Sequence, residues 1–121
     1  MSISREFGQI GNERGQKAEQ VMNAIITNAI KQNACPNWIK KYSAASPEED
    51  GKGIDAWVTT DIGKIPLQIK SSTRGVQSAR DKYPKIPVTR VIIGENKDKT
   101  LSRCINVIGK KRRELLAIRG Q

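Results

Sequence analysis

Residues 53–58, Gly-Ile-Asp-Ala-Trp-Val, and 65–72, Ile-Pro-Leu-Gln-Ile-Lys-Ser-Ser, form two β-like runs separated by a turn-prone stretch from Asp61 to Lys64. In a strand alternate side chains share a face. Ile54, Ala56 and Val58 therefore point one way and Asp55 and Trp57 the other, while Leu67 and Ile69 oppose Gln68 and Lys70. A hairpin made from these runs has an apolar core face and a polar face carrying an acid, an amide and an amine.

The register of that hairpin decides whether the polar residues meet, because directly opposite residues of an antiparallel pair lie on one face. A two-residue loop, Asp61-Ile62, pairs Thr60 with Gly63 and sets Asp55 opposite Gln68. A four-residue loop sets Asp55 opposite Lys70, still on the shared face. A three-residue loop sets Asp55 against Ile69 and separates the polar residues.

The remaining chain supplies elements that could cover the core face. Ala18, Val21, Met22, Ile25, Ile26, Ala29 and Ile30 follow helical spacing and predict a helix over Glu13–Lys31, ending near Asn33 before Pro36. Trp38–Ala44 reads as a first strand, Ser46–Gly53 as a flexible acidic loop, and Thr73–Tyr83 as a short exposed helix ended by Pro84. Val88–Ile93, bounded by Pro87 and Gly94, is the clearest buried-strand run. Thr100–Arg119 has helical spacing interrupted by Gly109, which leaves open a strand followed by a shorter helix. The order helix, three strands, helix, strand, helix implies an α/β or α+β fold with helices packed on a sheet. We expect one domain over 1–121, with a core at about 13–94 and a basic C-terminal helical segment at 97–121.

Composition indicates the class of partner. The 22 Lys and Arg outnumber the 12 Asp and Glu, giving a formal charge of +10 with no histidine. That surplus attracts polyanions and raises encounter rates with them. No run approaches the roughly 18 apolar residues of a membrane span, and Met1–Gly15 lacks the apolar core of a signal peptide, so a cytoplasmic location is expected. Cys35 and Cys104 form no metal-binding pattern and are expected to be reduced, buried thiols.

Helical phase, at about 100° per residue, places Glu19 roughly 70° from the centre of the apolar stripe, at the border facing the cleft beside the sheet. Glu13 falls on the solvated face. Phosphodiester hydrolysis calls for a hard divalent cation held by oxygen ligands. Asp55 and Glu19 offer carboxylates and Gln68 an amide oxygen; Glu48, Glu49 and Asp50, just before the motif, could supply an extra ligand, although a flexible acidic loop is the expected reading. Lys70 is placed to orient or deprotonate the attacking water and to stabilise charge on phosphorus.

With these residues the chain resembles the PD-(D/E)xK nuclease superfamily, which includes restriction enzymes, archaeal-type Holliday junction resolvases and some homing endonucleases. Asp55 corresponds to its first acid, Gln68-Ile69-Lys70 to its (D/E)-x-K, and Gly15–Glu19 to its helix-borne glutamate. The resemblance covers roughly residues 15–94. It implies a restriction-endonuclease-like core, Mg²⁺ or Mn²⁺ bound by Asp55, Gln68 and the Ile69 carbonyl, and Lys70 acting on water. Gln68 stands where an acid is usual, a variant that occurs among active members, and Gly53-Ile54-Asp55 replaces Pro-Asp.

Basic and hydroxyl residues suggest where duplex or branched DNA would lie. Ser71, Ser72 and Arg74 follow the motif at a strand-to-helix junction, where they could bind phosphate or cap the helix. Lys110, Lys111, Arg112 and Arg113 could follow the backbone or form a solvated helix face. The expected activity is metal-dependent DNA cleavage, with a homodimer or higher oligomer needed to cut both strands. The alternatives are a nucleic-acid-binding module of the same fold without cleavage, and a protein that binds an acidic protein through its basic surface.

Overall fold

The computed structural model describes residues 3–120, with side chains described from Lys17 onward. Its elements run α1 (Ile3–Lys31), β1 (Ile39–Ala44), α2 (Pro47–Asp50), β2 (Ala56–Thr60), β3 (Gly63–Lys70), α3 (Thr73–Lys82), β4 (Val88–Arg90) and α4 (Lys97–Arg119). The four strands form one mixed sheet in the order β1-β2-β3-β4, antiparallel except for the parallel β3–β4 pair. This is a mixed α/β fold with helices packed on the sheet.

The β2–β3 hairpin closes through the two-residue loop Asp61-Ile62, pairing Thr60 with Gly63 and Ala56 with Leu67. Thr60 braces the turn by donating through Oγ1 to the Gly63 carbonyl at 2.7 Å and accepting from the Ile62 N–H at 3.2 Å. The apolar face of the pair, Ala56, Val58, Ile65, Leu67 and Ile69, is buried beneath Ala18, Met22 and Ile26 of α1 and Cys104 and Ile108 of α4. Each large side chain withdrawn from water in this way contributes about 1.5–3 kcal/mol. The α1 stripe matches the helical spacing, and Asn33 ends the helix with a left-handed φ of 56°.

Several boundaries differ from the sequence expectation. Helix α1 begins at Ile3 rather than Glu13, since no proline interrupts residues 3–31. The Glu13 side chain lies outside the described side chains. Strand β4 stops at Arg90 instead of Ile93: Val91 still packs in the core, but Ile92 and Ile93 are 37% and 43% exposed. The Glu95 N–H donates to the Ile92 carbonyl at 3.1 Å, and Gly94 has φ 87°, so the chain turns out of the sheet there. Helix α4 runs unbroken through Gly109. That glycine is buried against Trp38, whose ring carbons lie 3.6 and 3.7 Å from the position a Cβ would occupy. Helical hydrogen bonding and close packing thus override the weak propensity of one glycine. Cys104 is buried as expected, whereas Cys35 is only half-buried; both are free thiols.

No described helix is long and apolar enough to cross a membrane.

Candidate metal and nucleic-acid site

Asp55 sits one residue before β2, where three backbone segments meet. Its N–H donates to the Leu67 carbonyl at 2.9 Å, and its carbonyl accepts from the Ala45 N–H at 3.1 Å. Its Oδ2 accepts from the Ile69 N–H at 2.7 Å. The carboxylate therefore replaces a backbone acceptor in the hairpin ladder and is held in a fixed orientation, only 9% exposed. Lys70, at the end of β3, brings Nζ to 4.0 Å from the same oxygen. Gly75, in the first turn of α3, lies beside the Lys70 stem, where a Cβ would make ordinary contact with Lys70 Cβ at 3.4 Å and a tighter one with Ser72 Oγ at 3.1 Å.

Gln68 joins the same hollow from β3. Its backbone N–H donates to the Pro87 carbonyl at 2.9 Å and its Nε2 to the Ile86 carbonyl at 3.1 Å. With the nitrogen so engaged, the amide oxygen is the branch left to face the cavity. Sequence alternation placed Gln68 beside an open cleft; in the structure it is 1% exposed because the 83–88 loop and α3 cover this face.

The Ser46–Gly53 segment is more ordered than a flexible loop. Ser46 Oγ accepts from the Glu49 N–H at 3.2 Å, and Glu49 Oε1 accepts from the Ser46 N–H at 2.9 Å. This reciprocal cap, with Pro47 in the first turn, makes residues 47–50 a single helical turn. Glu49 Oε2 also accepts from Trp57 Nε1 at 2.7 Å, tying the turn to β2. The turn presents Asp50 to the site. Gly53, with φ 86°, then lies against the Tyr83 ring, whose Cδ2 would be 2.5 Å from a Cβ at that position. Ser46-x-x-Glu49 is a readable capping signature, and among the three candidate acids Glu48, Glu49 and Asp50 it is Asp50 that joins the cluster.

Glu19 reaches the cluster from α1, half-buried. Ligand oxygens of Glu19, Asp50 and Asp55 all lie within 4.8 Å of one another. Burial, followed by the hydrogen bond that protonated Asp55 donates to the Asp50 carboxylate and by the charge of Glu19, pushes the Asp55 carboxyl up to about 7 against the opposing Ile69 N–H and Lys70. Glu19 is raised by burial and by Asp50, with Lys70 and Asp55 acting in the other direction. Three crowded carboxyls resist full ionisation unless a cation joins them. The donor set, carboxylates with the Gln68 amide oxygen close by, is all oxygen and fits a hard divalent ion.

Asp50, Asp55, Gln68, Lys70, Lys82 and Tyr83 line a hollow of about 400 Å³ between α2 and α3. Its walls are thus acidic toward Asp50 and Asp55 and basic toward Lys70 and Lys82. Glu19 approaches the cluster from beyond this lining. Lys82 and Tyr83 were missed from sequence because a solvated helix end looks the same whether or not it borders a cavity.

The expected nucleic-acid contacts are placed unevenly. Ser72 caps α3 by accepting from the Gly75 N–H at 3.0 Å, Ser71 is half-buried beside it, and Arg74 is exposed in the first turn. Lys110 and Arg113 are exposed, and Lys111 lies 3.9 Å from Glu114. Arg112 is engaged internally: it grips Asp61 through two hydrogen bonds of 2.9 and 2.6 Å and lies 5.1 Å over the Trp38 ring. Arg119 Nη2 donates to the Ile62 carbonyl at 2.9 Å. Two of the C-terminal cations therefore clasp the hairpin turn.

No protein-family model, curated protein or solved structure matches the chain.

Proposed function

We propose that the protein is a metal-dependent deoxyribonuclease that hydrolyses DNA phosphodiester bonds, with the PD-(D/E)xK arrangement on a restriction-endonuclease-like core. The observation that carries this reading is the convergence of Glu19, Asp50 and Asp55 within 4.8 Å, with Lys70 Nζ 4.0 Å from Asp55. The order α1, β1–β3, α3, β4 agrees with that core, α2 being an added turn.

Glu19, Asp50, Asp55 and the Gln68 oxygen would hold Mg²⁺ or Mn²⁺, which supplies charge neutralisation and a more acidic water. Lys70 orients the attacking water and offers its charge to the phosphorane. The Ile69 N–H fixes Asp55 so that one carboxylate oxygen stays committed to the fold and the other remains for ligation. Lys82 contributes positive charge on the opposite wall, where a phosphate would enter. One domain holds one such site, so cleavage of both strands calls for a homodimer or higher oligomer. A reducing cytoplasm suits the two free thiols.

Supercoiled, linear and branched DNA incubated with Mg²⁺, Mn²⁺ or chelator test the reading, with Asp55→Ala and Lys70→Ala alongside. Metal-dependent cutting by the wild type alone is expected. Binding by all three proteins without cutting by any would replace this reading with the second one, a nucleic-acid-binding module of the same fold. That alternative is favoured by Gln68, whose amide is tied into the loop before β4 and which carries no charge for a metal.

A further inference from the structure

Helix α3 has two working flanks. Gly75, Ser78, Ala79 and Lys82 border the carboxylate hollow, while Thr73, Val76 and Arg80 lie roughly 145° around the helix and border a groove against α4. The groove runs over the outer side of β4 as two hollows of about 340 and 280 Å³, joined where both are lined by Arg80, Val88 and Val107. Its floor is apolar and its walls are cationic: Lys85, Lys110 and Lys111 border the larger hollow and Arg90 the smaller. Glu114, the acid of the larger hollow, lies 3.9 Å from Lys111. Arg90 makes no ion pair among the described residues, and its buried Nε has no hydrogen-bond partner.

We propose that this α3–α4 groove is a second nucleic-acid site, separate from the carboxylate hollow, that holds a single strand with phosphates on Arg80, Lys85, Lys110 and Lys111. The inference rests on the nucleic-acid part of the function proposed above but not on cleavage. Charge complementarity selects a polyanion. The two hollows are each close to the ~300 Å³ lower bound for a small-ligand site, enough for one or two nucleotide units of a strand. The floor selects between forms. A duplex hides the faces of its bases, whereas a single strand exposes bases and sugars that can lie on Val76, Val88 and Val107. The contacts available are phosphate charge and aliphatic surface, so binding depends strongly on salt.

Fluorescence anisotropy of the full chain in EDTA, with labelled oligothymidylate of about 20 nucleotides and a duplex of equal length, tests the site without cleavage. The single strand should bind more tightly than the duplex. Arg80→Glu/Lys85→Glu should weaken it at least tenfold and make the log–log salt dependence shallower by about 1.4, the value for two lost phosphate contacts. Lys31→Glu/Lys99→Glu, with the same charge change on exposed residues outside the groove, should stay within about threefold of wild type. Thermal melts establish that each variant is folded. Equal loss in the control pair, equal affinity for the duplex, or equally tight binding of polyglutamate would each overturn the proposal, the last by assigning the groove to an acidic protein. A failed cleavage assay leaves these measurements intact.

Discussion

Asp55 Oδ2 accepts a hydrogen bond from the Ile69 N–H at 2.7 Å, and the same oxygen lies 4.0 Å from Lys70 Nζ. A backbone donor and a side-chain cation on consecutive β3 residues thus act on one oxygen. The carboxylate is at once a rung of the hairpin and a member of the acidic cluster.

Those two roles give a pH dependence. In the absence of divalent metal, native Asp55 keeps its proton up to about pH 7, whereas an unfolded aspartate releases it near pH 4. Between those limits the native state binds more protons, so stability falls as pH rises through the window. Asp55→Asn should therefore be more stable than wild type at pH 8 in chelator, by about 1–3 kcal/mol, with the gain vanishing near pH 4. Excess Mn²⁺ should reverse the order at pH 8. Urea titrations at several pH values check this.

Lys70→Ala should lower metal-dependent cleavage at least about a hundredfold while leaving the fold intact, because the amine is part-exposed and its partner retains the Ile69 N–H. Single-turnover cleavage and a thermal melt separate the two effects.

Ser46→Ala removes one half of the reciprocal cap and should cost about 1 kcal/mol locally. The larger consequence is for Asp50, which the turn presents to the cluster. Mn²⁺ affinity, measured by calorimetry, should fall several-fold while global stability changes little.

Gly53→Ala combines a φ of 86° with a Cβ placed 2.5 Å from the Tyr83 ring. A loss of about 1–3 kcal/mol is expected. In the Tyr83→Ala background the steric part should disappear and the backbone part remain, which a double-mutant cycle measures.

The hairpin was legible because its register follows from loop length and its face from alternation, and both depend only on neighbouring residues. Glu19 was legible through helical phase. Asp50 stood only as one of three candidate extra ligands with Glu48 and Glu49, because a capped single turn looks compositionally like an acidic loop, although Ser46 and Glu49 carried the signal. The burial of Gln68 depends on the segment before β4, whose Ile86 and Pro87 carbonyls it bonds, and the early end of β4 on the turn from Ile92 to Glu95. The first of these is a long-range contact with no local pattern. Arg112 illustrates the same limit, since nothing adjacent to it reveals Asp61 as its partner.

The sheet order β1-β2-β3-β4 also has a temporal meaning. β1 to β3 form a meander of near neighbours, so Asp50, Asp55, Gln68 and Lys70 can be gathered by short loop closures that are fast and entropically cheap. Glu19 lies 31 residues before Asp50, so its approach closes a longer loop and depends on α1 packing against the sheet. Any capacity of the acidic cluster for metal is therefore tied to the seating of α1 on the core.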